Sequence, residues 1–152
     1  MKNGKNGGMI NYKIFTDGSC RANGNGGIGV VWLKNGKKVF EYSKSFKNTT
    51  NNQMELIAIL YALLSIRSPI DSLEMITDSE YCIGVITNPT WRPKKNIKLI
   101  NIVKKALATK QQLVKEPIKW THVKGHQKVC DVNAAYNNLC DKLATEASNM
   151  IL

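Results

Sequence analysis

The chain has 152 residues, and 22 Lys and Arg against 11 Asp and Glu leave it a formal charge of +11 at neutral pH. That length suits one domain able to bury about two-thirds of its unfolded surface without staples, and so large a positive excess favours a polyanionic partner, most simply nucleic acid. Four Cys with no CxxC pair, an opening MKNGKNGGM without an apolar core and no run as long as a membrane span argue against a disulfide framework, a secretory leader and a membrane protein.

Residues 1–9 are expected to be a flexible basic tail and 10–152 a single domain. Residues 12–16 predict a strand, the Gly/Asn-rich "RANGNGGIG" a turn, and "IGVVWL" at 28–33 a second strand. Asn35-Gly36 signals a tight hairpin into a third strand over 38–46, with Phe40, Tyr42 and Phe46 alternating against Val39, Glu41, Ser43 and Ser45. The period then changes. "TTNNQMELIAILYALLSI" is apolar around nearly its whole circumference and predicts a helix in the middle of the fold, capped by Thr50, Asn51 or Asn52 and followed by Pro69. Next come a strand at 73–77, a short helix over 80–86, a proline-bounded loop "TNPTWRPKKN" and an amphipathic helix from Ile97. A last strand at 118–123, the polar loop "KGHQKVCDVN" and a helix buried along Leu139, Cys140, Leu143, Ala144 and Ala147 complete the chain. The order βββαβα(α)βα predicts a mixed sheet covered by helices.

Four acids sit where packing alone would not place them. Asp17 and Asp78 end apolar strands, Glu55 lies in the first turns of the most apolar helix, and Asp141 borders the buried stripe of the last helix. Singly, each has an ordinary explanation: turn chemistry, a helix cap, the macrodipole or a surface acid. Together, two strand ends and two helices could bring them to one place, where like charges about 4 Å apart repel by roughly 4 kcal/mol at an effective dielectric of 20. A counter-charge is then required. Oxygen-only ligands suit Mg²⁺ or Mn²⁺ rather than zinc, and two such ions serve in-line displacement at phosphorus.

The stretches "TDGSC" with "NGNGGIG", "TTNNQMEL", "TDSEY", "WTHVKGHQ" and "NNLCDKLA", in this order from about residue 12 to 149, resemble type 1 ribonuclease H. The resemblance implies a ribonuclease H-like α/β fold with a five-stranded mixed sheet, three strands antiparallel and then two parallel, flanked by helices. It also implies endonucleolytic cleavage of the RNA strand of an RNA–DNA hybrid, leaving 5′-phosphate and 3′-hydroxyl ends. Asp17, Glu55, Asp78 and Asp141 take the places of the carboxylates that hold two Mg²⁺ ions, with Mn²⁺ a possible substitute. His126 matches a mobile histidine assisting proton transfer or product release, a task suited to its near-neutral pKa. Gly18, Ser19, Asn23, Asn52 and the Glu80 position fall along the hybrid, Thr50 and Asn51 near a DNA-strand phosphate, and Lys124 beside the His126 loop. Asn side chains and Gly-rich backbone can reach successive 2′-hydroxyls across a shallow minor groove. A monomer in the cytoplasm, with a hybrid and no membrane as partner, is the expected setting.

The chain departs from the family's pattern in three places. Glu80 replaces a common Gln, the span from His126 to Asp141 is a few residues longer, and there is no room for a separate basic handle helix, whose place Trp91, Arg92, Lys94 and Lys95 would partly take. A zinc site from His122, His126, Cys130 and Cys140 is a weaker competitor, since its ligands fall partly inside a strand. A non-catalytic hybrid-binding module gains nothing from keeping four mutually repelling acids. A DNA junction resolvase would not need the hybrid-facing "TTNNQ" and "VKGHQ".

Overall fold

A computed structural model describes residues 8–125 and 131–150. The expected basic tail, apart from Gly8 and Met9, lies outside these residues, as do His126 and Cys130. The elements are β1 (Asn11–Cys20), β2 (Gly26–Lys34), β3 (Lys37–Phe46), α1 (Asn51–Leu64), β4 (Ser72–Thr77), α2 (Glu80–Thr87), α3 (Ile97–Gln111), β5 (Lys119–His122) and α4 (Val132–Ser148). They form a five-stranded sheet in the order β3-β2-β1-β4-β5. β1, β2 and β3 are antiparallel, while β4 runs parallel to β1 and β5 parallel to β4. The mixed α/β sheet expected from the residue pattern is thus present.

Local chemistry accounts for the first half. Asn35 (φ 48°) and Gly36 (φ 87°) both take positive φ, the backbone that a two-residue hairpin between right-twisted strands demands. Thr50 adopts extended backbone and its hydroxyl accepts from the Gln53 N–H at 3.2 Å, starting α1. Successive strand residues point to opposite faces, so Ile14 and Phe15, both fully buried, enter two different cores. Ile14, Val30 and Met75 meet Leu56, Ile59 and Leu63 of α1, with Val85 of α2 and Ile100 and Val103 of α3 behind them. Phe15, Val31, Leu33 and Ile76 meet Cys140 of α4. A sheet covered on both faces explains why β1 and β2 carry near-continuous apolar runs.

α4 lies directly on β2 because Gly27 and Gly29 lack side chains. A Cβ at Gly27 would strike the Ala144 carbonyl and one at Gly29 the Cys140 carbonyl. That close seat sets the position of Asp141, the residue after Cys140.

One boundary differs in substance from expectation. β1 does not stop before Asp17 but continues through Gly18 and Ser19 to Cys20. The parallel pairing with β4 does end at Thr16–Thr77, yet β2 goes on pairing antiparallel with Asp17, Gly18, Ser19 and Cys20 through Gly29, Ile28, Gly27 and Gly26. Only the β4 side of Asp17 is therefore open. Remaining boundary differences are one or two residues at element ends.

Candidate functional site

Adjacent parallel strands that end together bring the residues just beyond them to one sheet edge. Asp17 is one residue past the last β1–β4 pair and Asp78 is the residue after β4. Glu55 arrives from the early part of α1, and Gly18 makes its approach possible, since a Cβ there would collide with the Met54 and Glu55 backbone. The Gly18 N–H donates to Asp17 Oδ1 at 2.9 Å and also to Glu55 Oε1. Asp17, Glu55 and Asp78 each present an oxygen within 4.8 Å of the others. Asp141 reaches Asp17 from α4, adding its charge and a hydrogen bond. All four expected carboxylates therefore converge, three in a tight group and the fourth joined through Asp17.

The electrostatics are those of a site built for a cation. Burial, then the charges of Asp78 and Asp141, push the Asp17 carboxyl up to about 8 against a pull-down from its hydrogen bond with Glu55. Burial and the Asp17 charge hold Glu55 well above the ordinary carboxylate range. Asp17 is only 3 % exposed, and its buried Oδ2 accepts no hydrogen bond from an N–H or O–H donor among the described residues. A buried carboxylate oxygen left that way costs free energy that a bound cation would recover. An all-oxygen donor set of hard carboxylates fits a hard divalent ion. Gly125 flanks the group, where a Cβ would come within 2.9 Å of Asp78 Oδ2.

The thiols point the other way. Cys140 is fully buried and donates through Sγ to the Phe15 carbonyl at 3.1 Å, and burial pushes its pKa well above the usual thiol value. Burial likewise pushes Cys82 up to about 12. Cys140 is thus packed into the core beneath α4. His122 is exposed, with Nε2 3.2 Å from the Asp78 carbonyl and Nδ1 3.8 Å from Glu80 Oε1. Two of the candidate zinc ligands, His126 and Cys130, lie outside the described residues, and Cys140 is held in the core against Phe15 while His122 is exposed.

The expected substrate-facing residues fall around the same edge. Ser19 is half-buried on β1, and exposed Asn23 caps its own turn by accepting from the Asn25 N–H at 3.0 Å. Thr50, Asn51 and Asn52 stand exposed at the start of α1. They open onto a cleft of about 710 Å³ whose far wall is Lys95 and Asn96. Asn52 also borders a second cleft of about 370 Å³ with Tyr81, Trp91, Arg92 and Lys94. Glu80 and Lys124 are exposed. Trp91 is both packed and open: its ring occupies the space a Cβ on Gly84 would need, meets Tyr81 edge-on at 6.2 Å and stays 41 % exposed.

Asn96 was not singled out by sequence. It takes positive φ at 61°, starts α3, and links Gln53 (3.4 Å) to the Tyr81 hydroxyl (3.4 Å). Its position between a basic loop and an amphipathic helix was the available signal. Asn137, one helical turn before Asp141, is 1 % exposed with Oδ1 unpartnered among the described residues.

A twisted mixed sheet with an acidic cluster at the end of two adjacent parallel strands defines a ribonuclease H-like class of protein. The ribonuclease H family profile matches residues 10–149. The chain is 40% identical over 146 residues to a ribonuclease H of Clostridium botulinum strain Hall, covering 88% of this chain and 93% of that protein. It is 37% identical over 144 residues to one of Actinobacillus pleuropneumoniae serotype 5b, covering 90% of each. The chain belongs to the ribonuclease H family. Among solved structures, LC11-RNase H1 in complex with an RNA/DNA hybrid aligns with a TM-score of 0.70 at 23% identity, over 91% of this chain and 96% of that one. Prototype foamy virus protease-reverse transcriptase aligns with a TM-score of 0.73 at 25% identity, over 94% of this chain and 21% of that one. Among the described residues no helix is long and apolar enough to cross a membrane.

Proposed function

We propose that the protein is an endoribonuclease that hydrolyses the RNA strand of RNA–DNA hybrids, leaving 5′-phosphate and 3′-hydroxyl ends. The observation that carries this reading is the convergence of Asp17, Glu55 and Asp78, with a buried Asp17 oxygen that no N–H or O–H donor among the described residues reaches and Asp141 alongside. Two Mg²⁺ ions, or Mn²⁺ in their place, would supply Lewis-acid activation of water and neutralisation of charge at the leaving oxygen. Asp17, Glu55, Asp78 and Asp141 would hold them.

The rest of the chemistry belongs to the chain. Gly18 donates its N–H to Asp17 and Glu55 and keeps both oriented. Asn52 lies three residues before Glu55, on the same helix face, so a group contacting one is held against the other. Asn23, Asn52 and the Gly18–Ser19 backbone reach 2′-hydroxyls and tell RNA from DNA. Thr50 and Asn51, with Lys95 across the cleft, take a DNA-strand phosphate, while Arg92, Lys94 and Trp91 continue the basic wall. Lys124 holds phosphate beside His126, which moves a proton toward the departing 3′-oxygen or eases product release. The exposed Glu80 accepts a hydrogen bond from a 2′-hydroxyl.

We infer also that residues 10–152 act as one domain, as a monomer in the cytoplasm, with 1–9 a basic tail. The test is a parallel incubation of end-labelled hybrid, duplex RNA and a DNA four-way junction with increasing Mg²⁺ or Mn²⁺. The hybrid alone should be cut, in its RNA strand. Cleavage of the junction would instead make the protein a resolvase, and tight hybrid binding without turnover a binding module.

A further inference from the structure

We propose that Glu80 gives the nuclease a base preference: it accepts a hydrogen bond from the 2-amino group of a guanine close to the cut, so hybrids are cleaved faster where a G·C pair stands at that offset. This rests on the hybrid-cleaving function proposed above and adds which sequences are favoured. Glu80 is the first residue of α2, two positions after Asp78, and its side chain is 83 % exposed. Consecutive Cα atoms are about 3.8 Å apart, so Glu80 starts within roughly 8 Å of Asp78. The base pair it meets therefore lies beside the scissile phosphate and not at a far end of the hybrid.

Base pairs differ little in the minor groove. A·T and A·U pairs present only acceptors there, adenine N3 and the pyrimidine O2, while a G·C pair adds the guanine 2-amino donor. The wide, shallow minor groove of an A-form duplex leaves these edges within reach of side chains. An amide at the reading position can donate to the first class and accept from the second, so it tolerates every sequence. A carboxylate only accepts. Facing adenine N3 or a pyrimidine O2 it meets like partial charge, whereas facing guanine it makes a charge-assisted bond. Among the residues expected to line the hybrid, Glu80 is the one acid, standing where the family commonly has Gln, while Asn23 and Asn52 carry amides.

The surroundings leave the carboxylate free for this contact. No lysine or arginine among the described residues lies in ion-pair range of it; the basic group beside it is His122, whose Nδ1 is 3.8 Å from Oε1. His122 is itself tied through Nε2 to the Asp78 carbonyl at 3.2 Å, so it flanks Glu80 from the end of β5. A carboxylate has two oxygens with about four acceptor directions. One oxygen can meet a 2′-hydroxyl while the other meets the guanine amino group.

The test sequences the products cut from a hybrid pool with a randomised stretch, at fixed Mg²⁺, for the full wild-type chain and for Glu80→Gln. The wild type should favour G·C over A·T and A·U at one fixed offset from the cut, by about fivefold in kcat/KM. Glu80→Gln should cut both classes at that offset equally well. Single hybrids then carry inosine, which is guanine without its 2-amino group, at the favoured offset. The wild type should slow by about fivefold on them and Glu80→Gln should not respond. Conversely, 2-aminoadenine in place of adenine should speed the wild type at a poor site. Absence of any fixed-offset bias, a bias that persists in Glu80→Gln, or one that inosine leaves intact would overturn the proposal and leave the nuclease reading standing. A wild type that cuts no hybrid at all would overturn that reading, and the base preference with it.

Discussion

Asp17 shows how much one side chain can depend on its surroundings. Its carboxyl is buried, faces three other acids, and has one oxygen that no donor among the described residues reaches. Replacing it with Asn should lower hybrid cleavage about a thousandfold or more, since several kcal/mol of transition-state stabilisation would pass through the ions it is proposed to hold. Hybrid affinity should persist or rise, because repulsion toward phosphate falls; single-turnover cleavage and a filter-binding titration measure the two. His126→Ala should cost less, on the order of a hundredfold, as for an assisting acid or base that water can partly replace. The same burial links stability to pH. With Asp17 raised to about 8 from an ordinary 3.8, the folded state binds a proton that the unfolded state has lost. Stability of the metal-free protein is therefore greatest below about pH 4, from this group, and falls as pH rises toward 8. Melting in EDTA from pH 5 to 9 should show Tm decreasing. Asp17→Asn should flatten that slope, and Mg²⁺ should raise wild-type Tm more at pH 8 than at pH 5.

Among the elements, α4 and its seat on β2 decide where Asp141 stands. Neither Gly27 nor Gly29 takes a positive φ, so their role is absence of bulk: the Ala144 and Cys140 carbonyls occupy the places of the missing Cβ atoms. Gly29→Ala must push the α4 backbone outward. The expected cost is about 1–3 kcal/mol, as for other overpacked contacts, visible as a lower midpoint in urea unfolding. Activity should fall further than stability accounts for, because Asp141 moves with the helix while Asp17 does not. The same holds for α1, which is lowered onto β1 at Gly18. Helices thus deliver two acids and strands the other two, and each helix is brought to its place by glycines on the strand beneath it.

For the whole molecule, charge distribution matters more than any single cation. The chain carries 22 basic against 11 acidic residues while its carboxylate site is acidic, so affinity for a hybrid would come from cations beside the site, including Arg92, Lys94 and Lys95 along the clefts that begin at α1. Binding of a non-cleaved hybrid should weaken steeply with salt, with a slope near −0.9 for each phosphate neutralised. Lys95→Ala should flatten that slope by about one unit at equal Mg²⁺.

Element types, their order and the identity of the four acids were legible in the sequence because they rest on short-range physics. Alternation marks a strand, Asn35-Gly36 a hairpin, an all-round apolar run the central helix, and a charge ending an apolar run is conspicuous without knowing its neighbours. The extension of β1 to Cys20 was not legible, since Asp-Gly reads as a turn until β2 is seen to go on pairing beside it. Nor was the ranking of the acids, three within 4.8 Å and Asp141 joined through Asp17, or the double role of Trp91 against Gly84. The bulge that turns Val39 and Phe40 to one cleft beside Trp32 also emerged only on folding. The sequence by itself determined what the segments are and which side chains carry charge, because bonded neighbours and periodicity settle those. Tertiary structure alone decided which groups touch, what is shielded from water and hence which carboxyls hold protons, because these depend on distances between residues tens of positions apart in the chain.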